Sequence, residues 1–175
     1  MDERLSLIKD LNRVKLPRWD EFPEFGIYRD QLISIVNSSI DNVLYIEENT
    51  LLTKSMLNNY VKWKMIPKPI KKKYYKNHIA FCIVISCFKP ILTIANINKG
   101  IKLQTRIESE ENAYNRFCNI LESIFNKDIS NLNDLGTSDD FKVNSNNLGI
   151  YTSCKALYYK RISDLILSST EDFDE

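Results

Sequence analysis

Between Asn49 and Ile107 the chain has not one aspartate or glutamate. The same 59 residues carry eleven lysines and one arginine, a local charge of +12. The flanks are acidic: residues 1–48 sum to −4 and residues 108–175 to −7, so the net charge of +1 conceals a strong asymmetry. Solubility alone is better served by mixed signs, so a long acid-free tract points to a polyanionic partner.

Other scarcities narrow the fold and the chemistry. Four glycines and five prolines in 175 residues are too few turn formers for a many-stranded sandwich or barrel. The chain is 43% hydrophobic and 27% charged, which supports a core and argues against disorder. A mainly α fold is expected, as one domain or two small ones. The four cysteines, Cys82, Cys87, Cys118 and Cys154, form no Cys-x-x-Cys pair, and His78 is the only histidine. Zinc-finger spacing is therefore absent, and the thiols read as free and buried.

No phosphate-cradling glycine loop and no paired-carboxylate motif appears. No catalytic, cofactor-binding or metal-ligating residue is assigned, and the chain does not read as an enzyme. Met1 is followed by Asp2, Glu3 and Arg4 with no apolar stretch of a secretory signal, so a cytoplasmic location is expected. Ile79 to Ile97 is the one tract that suggests a membrane span, and Lys89 and Pro90 interrupt it. Its uncharged part, Ile79 to Phe88, is half of the about 20 residues a spanning helix needs, so a buried helix is expected and no membrane partner.

Periodicity and punctuation divide the chain into three parts: an arm over 1–24, a central domain over 25–106 and a helical region over 107–175. The arm contains Leu16-Pro17-Arg18-Trp19 and Phe22-Pro23-Glu24-Phe25, which cannot sit inside a helix, and it is expected to pack down through Trp19 and Phe22. Tyr28, Leu32, Ile35, Val36 and Ile40 recur at three and four spacing and predict a first helix, followed by a short extended piece around Val43 to Ile46. Thr53 reads as the N-cap of a helix running to about Ile66, with Met56, Leu57, Tyr60, Val61 and Trp63 on its apolar side. Pro67 to Lys76 predicts a lysine-rich loop or two-stranded wing. A buried helix from about Asn77 to Lys89 should end at Pro90. Thr93 should cap a short helix from Ile94 to about Lys102, with Gly100 near its end. Glu108 to Asn126 and Leu148 to Ser168 predict two further helices on either side of a polar linker, Lys127 to Asn147. The acidic residues Thr170 to Glu175 close the chain and are expected to fray.

The order helix, turn, helix, basic wing, long helix and short helix carries a resemblance. Thr53 through Tyr60 to Ile66-Pro67 is similar to the recognition helix of MerR-type winged-helix proteins. Asn58, Asn59 and Tyr60 fall at that helix's Arg-Tyr-Tyr, and Met65, Ile66 and Pro67 at its Leu-Leu-Pro. Lys72-Lys73-Tyr74 falls on the wing's Arg-x-Tyr, and Thr93-Ile94 through Ile97 on the Ser-Leu-x-x-Ile that opens the fourth helix. Lys64 stands where the helix-ending glycine is usual. Leu16 to Ile97 more closely resembles an uncharacterised bacterial family, domain of unknown function 1836. That resemblance rests on Leu16-Pro-Arg-Trp19, Asp30-Gln31, Met56 to Lys62 and Ile66 to Tyr74. It implies a mainly α fold in which a MerR-like winged helix-turn-helix domain is followed by C-terminal helices.

On this reading the chain is a sequence-specific DNA-binding transcriptional regulator. The helix over 53–66 enters the major groove and the wing over 67–76 rests on phosphates. The candidate DNA-binding residues are Lys54, Ser55, Asn58, Asn59, Lys62, Lys68, Lys71, Lys72, Lys73, Tyr74 and Lys76. The asparagines suit base edges and the lysines suit phosphate. The partner is double-stranded DNA; the C-terminal helices allow a homodimer or effector sensing, with no effector named. The alternative is a non-enzymatic protein-interaction module on the same scaffold that binds an acidic partner.

Overall fold

Six helices form among residues 14–44, 51–127 and 141–168, which are the residues that the computed structural model describes. They are α1 (Arg29–Leu44), α2 (Lys54–Lys62), α3 (Lys76–Phe88), α4 (Ile94–Ile107), α5 (Glu110–Phe125) and α6 (Leu148–Ser168). The mainly α expectation holds. The first 13 residues of the arm, Tyr45 and Ile46 of the expected extended piece, linker residues 128–140 and the acidic end 170–175 lie outside the described residues.

Local chemistry explains most of the boundaries. The Thr53 hydroxyl accepts from the Met56 N–H at 3.2 Å, Thr93 from Asn96 at 3.3 Å and Ser109 from Asn112 at 3.2 Å, so three helices begin on short oxygen side chains. α3 is apolar all round, which places it inside: ten of its thirteen residues are buried. It packs against α1, α4, α5 and α6. One hydrophobic cluster runs from Val14 to Ile162 through α3, so the central segment and the C-terminal helices share a core.

The arm straps across α5. Asn126 accepts from the Val14 N–H and donates to the Val14 carbonyl, Glu122 accepts from the Leu16 N–H at 2.8 Å, and Asn115 accepts from the Trp19 N–H at 3.1 Å. The partners descend α5 as the arm advances, so the two run antiparallel. Trp19 and Phe22 do pack down, both against Tyr114.

Four local expectations are corrected. Val43 and Leu44 are the buried last turn of α1, not an extended piece, because their side chains continue its core stripe after Ile40. Tyr28 is not on that stripe: it precedes the helix, is exposed, and its N–H donates to Gln31. The helix from Thr53 ends at Lys62 rather than Ile66. The Met65 N–H bonds the Tyr60 carbonyl and the Lys64 N–H bonds the Val61 carbonyl, a Schellman ending with Lys64 in the left-handed position at φ 56°. Finally, Gly100 lies in the interior of α4, which runs on to Ile107 because no left-handed residue stops it sooner.

Candidate nucleic-acid interface

Asn37 on α1 sets where α2 begins. Its amide accepts from the Leu52 N–H at 2.8 Å and donates to the Leu52 carbonyl at 3.2 Å, closing both backbone groups of the residue before the Thr53 cap. α2 then turns Leu57 and Tyr60 into the core. Burial pushes the Tyr60 hydroxyl up to about 12, so it stays protonated. The opposite face carries Lys54, Ser55, Asn58 and Lys62 into solvent, with Asn59 half-buried at its edge. Trp63, placed above on the apolar side, is half exposed because it caps the helix after the inward stripe has ended.

The hairpin after α2 has two central residues. Ile70 and Lys73 exchange both backbone bonds, at 3.0 and 2.9 Å, and Lys71 and Lys72 between them have φ of 49° and 65°. Left-handed angles at both central positions define a type I′ turn, whose favoured sequence is Asn-Gly. Here it is Lys-Lys. Each left-handed lysine costs about 1 to 2 kcal/mol, so the turn holds its two charges at the tip against its own conformational preference.

The returning strand is anchored from both sides. Tyr74 and Ile27 exchange two backbone bonds, each 2.9 Å, which lays the hairpin beside the start of α1. The approach depends on Gly26: a Cβ there would lie 2.7 Å from the Lys73 Cβ and 2.9 Å from the Tyr75 ring. Tyr74, grouped with the DNA-binding residues above, is instead buried and meets His78 edge-on. Alternation along the strand turns Tyr74 inward while Lys73 stays outside. His78 is buried at the start of α3, and its Nδ1 accepts from the Tyr75 N–H at 3.0 Å. Burial, the dominant effect, lowers its pKa and keeps it neutral.

The lysines differ in what holds them. Lys54 lies 3.1 Å from Asp30, and Lys76 pairs with Glu24, so acids from the chain before the acid-free tract reach its surface. Lys73 sits 3.2 Å from the centre of the exposed Tyr28 ring, a cation–π contact. Among the described residues, Lys62, Lys68, Lys71 and Lys72 have no acidic partner. An open groove of about 570 Å³ separates the α1 start from the hairpin, lined by Tyr28, Arg29, Asp30, Pro69, Lys72 and Tyr74.

Sequence reasoning missed Tyr28, Arg29 and Asp30 as part of this surface. They lie some forty residues from the hairpin, and only the Ile27–Tyr74 pairing brings them beside it. The acidic first turn of α1 was the one local signal.

The remaining chemistry-bearing groups are inside. All four cysteines are buried and free, and burial pushes each thiol up. Among the described residues no cluster of histidine, cysteine, aspartate or glutamate is arranged to hold a metal ion, and no helix is long and apolar enough to cross a membrane.

The fold is thus a mainly helical one carrying a basic hairpin beside a capped helix. Residues 17–117 match the family described as Domain of unknown function (DUF1836), and the chain belongs to that family. The match starts within the arm and ends within α5, so of the strap's backbone N–H contacts to α5 it takes in the one from Trp19 to Asn115. No curated protein and no solved structure matches the chain.

Proposed function

We propose that the protein is a DNA-binding regulator of MerR-like winged helix-turn-helix type, with α2 as the recognition helix and the 70–73 hairpin as the wing. The observation that carries this is the pair of left-handed lysines, Lys71 and Lys72, held at the hairpin tip with no acidic partner among the described residues. A turn that keeps two strained like charges side by side favours something negatively charged in front of it. Lys62 and Lys68 extend the same charge, and Ser55, Asn58 and the edge of Asn59 supply neutral groups suited to base edges. The first turn of α2 contains no acid and begins with Lys54, the reverse of macrodipole preference and favourable for a phosphate.

Exposed Trp63, Ile70 and Phe25 favour the second reading, an interaction module for an acidic protein, because apolar anchors serve protein contacts better than phosphate. Fluorescence anisotropy with labelled random duplex and with a duplex selected from genomic fragments, at about 50 and 200 mM salt, separates the two. DNA binding gives a log–log salt slope of about −0.9 for each phosphate neutralised, near −4 if four lysines engage. Absent or salt-insensitive binding leaves the interaction module standing.

A further inference from the structure

A cavity of about 230 Å³ lies between α3, α4, α5 and the start of α6, and none of its lining residues belongs to the hairpin. Its walls are mostly apolar, with Phe81, Val84 and Phe88 of α3, Ile97 and Ile101 of α4 and Phe117 of α5, while Asn96, Thr105, Glu110 and Ser153 add polar groups to the lining. A cavity of about 150 Å³ with such walls admits benzene, so this one has room for a fused two-ring molecule.

Two further features make it more than a packing defect. Gly100 and Gly149 both line it from helices, and a Cβ added to either would meet nothing within 4 Å. Gly100 weakens the interior of α4, and no close neighbour requires it there. Both glycines are exposed, so they stand at the rim of the cavity and leave its mouth open to solvent. The second feature is Gln104, which lines the same cavity and is only 7% exposed. Its Nε2 donates to the Asn146 carbonyl at 2.9 Å, which fixes the amide's orientation. Its Oε1 is then buried with no partner. An unpaired buried acceptor on a residue that lines a mostly apolar pocket is a cost to the fold that a donor on a ligand removes.

We infer that this cavity is a binding site for a small, flat, apolar molecule of one or two rings bearing a single N–H or O–H donor, which Gln104 Oε1 receives. The ligand enters beside exposed Leu103, between Gly100 and Gly149, and bridges α4 to α5 and α6. This site is separate from the lysine surface and does not depend on DNA being the partner there.

The test uses the full chain and three pairs of probes: indole and benzofuran, 2-naphthol and naphthalene, 4-ethylphenol and ethylbenzene. Protein-observed NMR follows the amides of Ile97, Gly100, Ala113 and Gly149, with thermal shift as a second readout. The donor-bearing member of at least one pair should move those amides and raise Tm, binding about tenfold more tightly than its donor-free counterpart. Gly100→Leu, a better helix former whose side chain would close over the cavity mouth, should raise Tm by itself and abolish binding. Gln104→Met, close in volume, should make the two members of a pair bind equally. Failure of every probe to move those amides at 1 mM overturns the inference. So does binding that survives Gly100→Leu, or equal affinity within every pair for the parent protein.

Discussion

The ammonium of Lys54, the first residue of α2, lies 3.1 Å from a carboxylate oxygen of Asp30 on α1. Both side chains are more than half exposed, so the pair adds little stability, but it places the nearest acid directly on the proposed recognition surface. Asp30 also lines the groove beside Lys72, where it opposes any phosphate drawn to the hairpin.

Asp30→Asn should therefore tighten DNA binding by about two- to fivefold at low salt and lose that gain as salt screens the surface. Urea unfolding of the same variant should move by no more than about 0.5 kcal/mol. Anisotropy and denaturation on one preparation check both outcomes. Unchanged or weaker binding counts against Lys54 meeting phosphate.

The hairpin separates conformation from charge. Lys71→Asn with Lys72→Gly installs the residues a type I′ turn prefers and should stabilise the protein by about 1 kcal/mol or more. It also removes two phosphate contacts, so the salt slope should become shallower by about 1.8. Asn58→Ala on the exposed face of α2 should do the opposite: an unchanged slope, with a loss of about 1 to 3 kcal/mol confined to the preferred duplex. Greater stability with weaker binding in the hairpin variant is the outcome to look for. A hairpin variant that binds as the parent does removes the wing from the DNA reading.

Glu122 is the point where the arm is tied down. It accepts from the Leu16 N–H and from both terminal nitrogens of Arg18, at 2.8, 2.7 and 2.6 Å. The hydrogen bond to Glu122 is the largest influence raising the Arg18 pKa. Glu122→Ala should cost about 2 to 3 kcal/mol in urea unfolding, because a backbone N–H and a guanidinium lose their acceptor together. Glu122→Gln keeps an acceptor for Leu16 and should cost less.

Acidification should loosen the hairpin's anchor. Burial lowers the His78 pKa below its ordinary value of about 6.5, the value it regains on unfolding. Above pH ~6.5 the residue is neutral in both states, and its contribution to stability is complete. As pH falls through 6.5 towards the lower folded value, the unfolded chain takes the proton first and stability declines. Tm measured from pH 7.5 to 5.5 should fall, with the only histidine of the chain responsible. His78→Gln, which can still accept from the Tyr75 N–H, should flatten that profile. An equally steep fall in the variant would assign the effect elsewhere.

Much of the helical layout was written locally. Thr53 and Thr93 announce their helices because a cap is a contact across three residues, and Pro90 ends α3 because a ring without an N–H cannot continue it. The inward stripe Ala113, Phe117, Ile120 and Ile124 of α5 is equally legible, since periodicity needs no knowledge of the partner helix. The acid-free tract, too, is a property of the sequence alone.

What that tract presents to its surroundings was decided only by folding. Tyr74 and Lys73 are neighbours in the chain, yet pairing with Ile27 turns one into the core and leaves the other over Tyr28. Asp30 and Glu24, outside the acid-free run by sequence, are brought onto its surface by α1 and the arm. Lys64, Lys71 and Lys72 occupy left-handed backbone that their side chains disfavour, because a helix ending and a two-residue turn are fixed by the elements on either side. Charge and periodicity are sums over nearby residues, so the sequence determines them. Which charges remain unpaired, and which side chain faces out, depends on contacts between segments far apart in the chain, and those exist only in the tertiary structure.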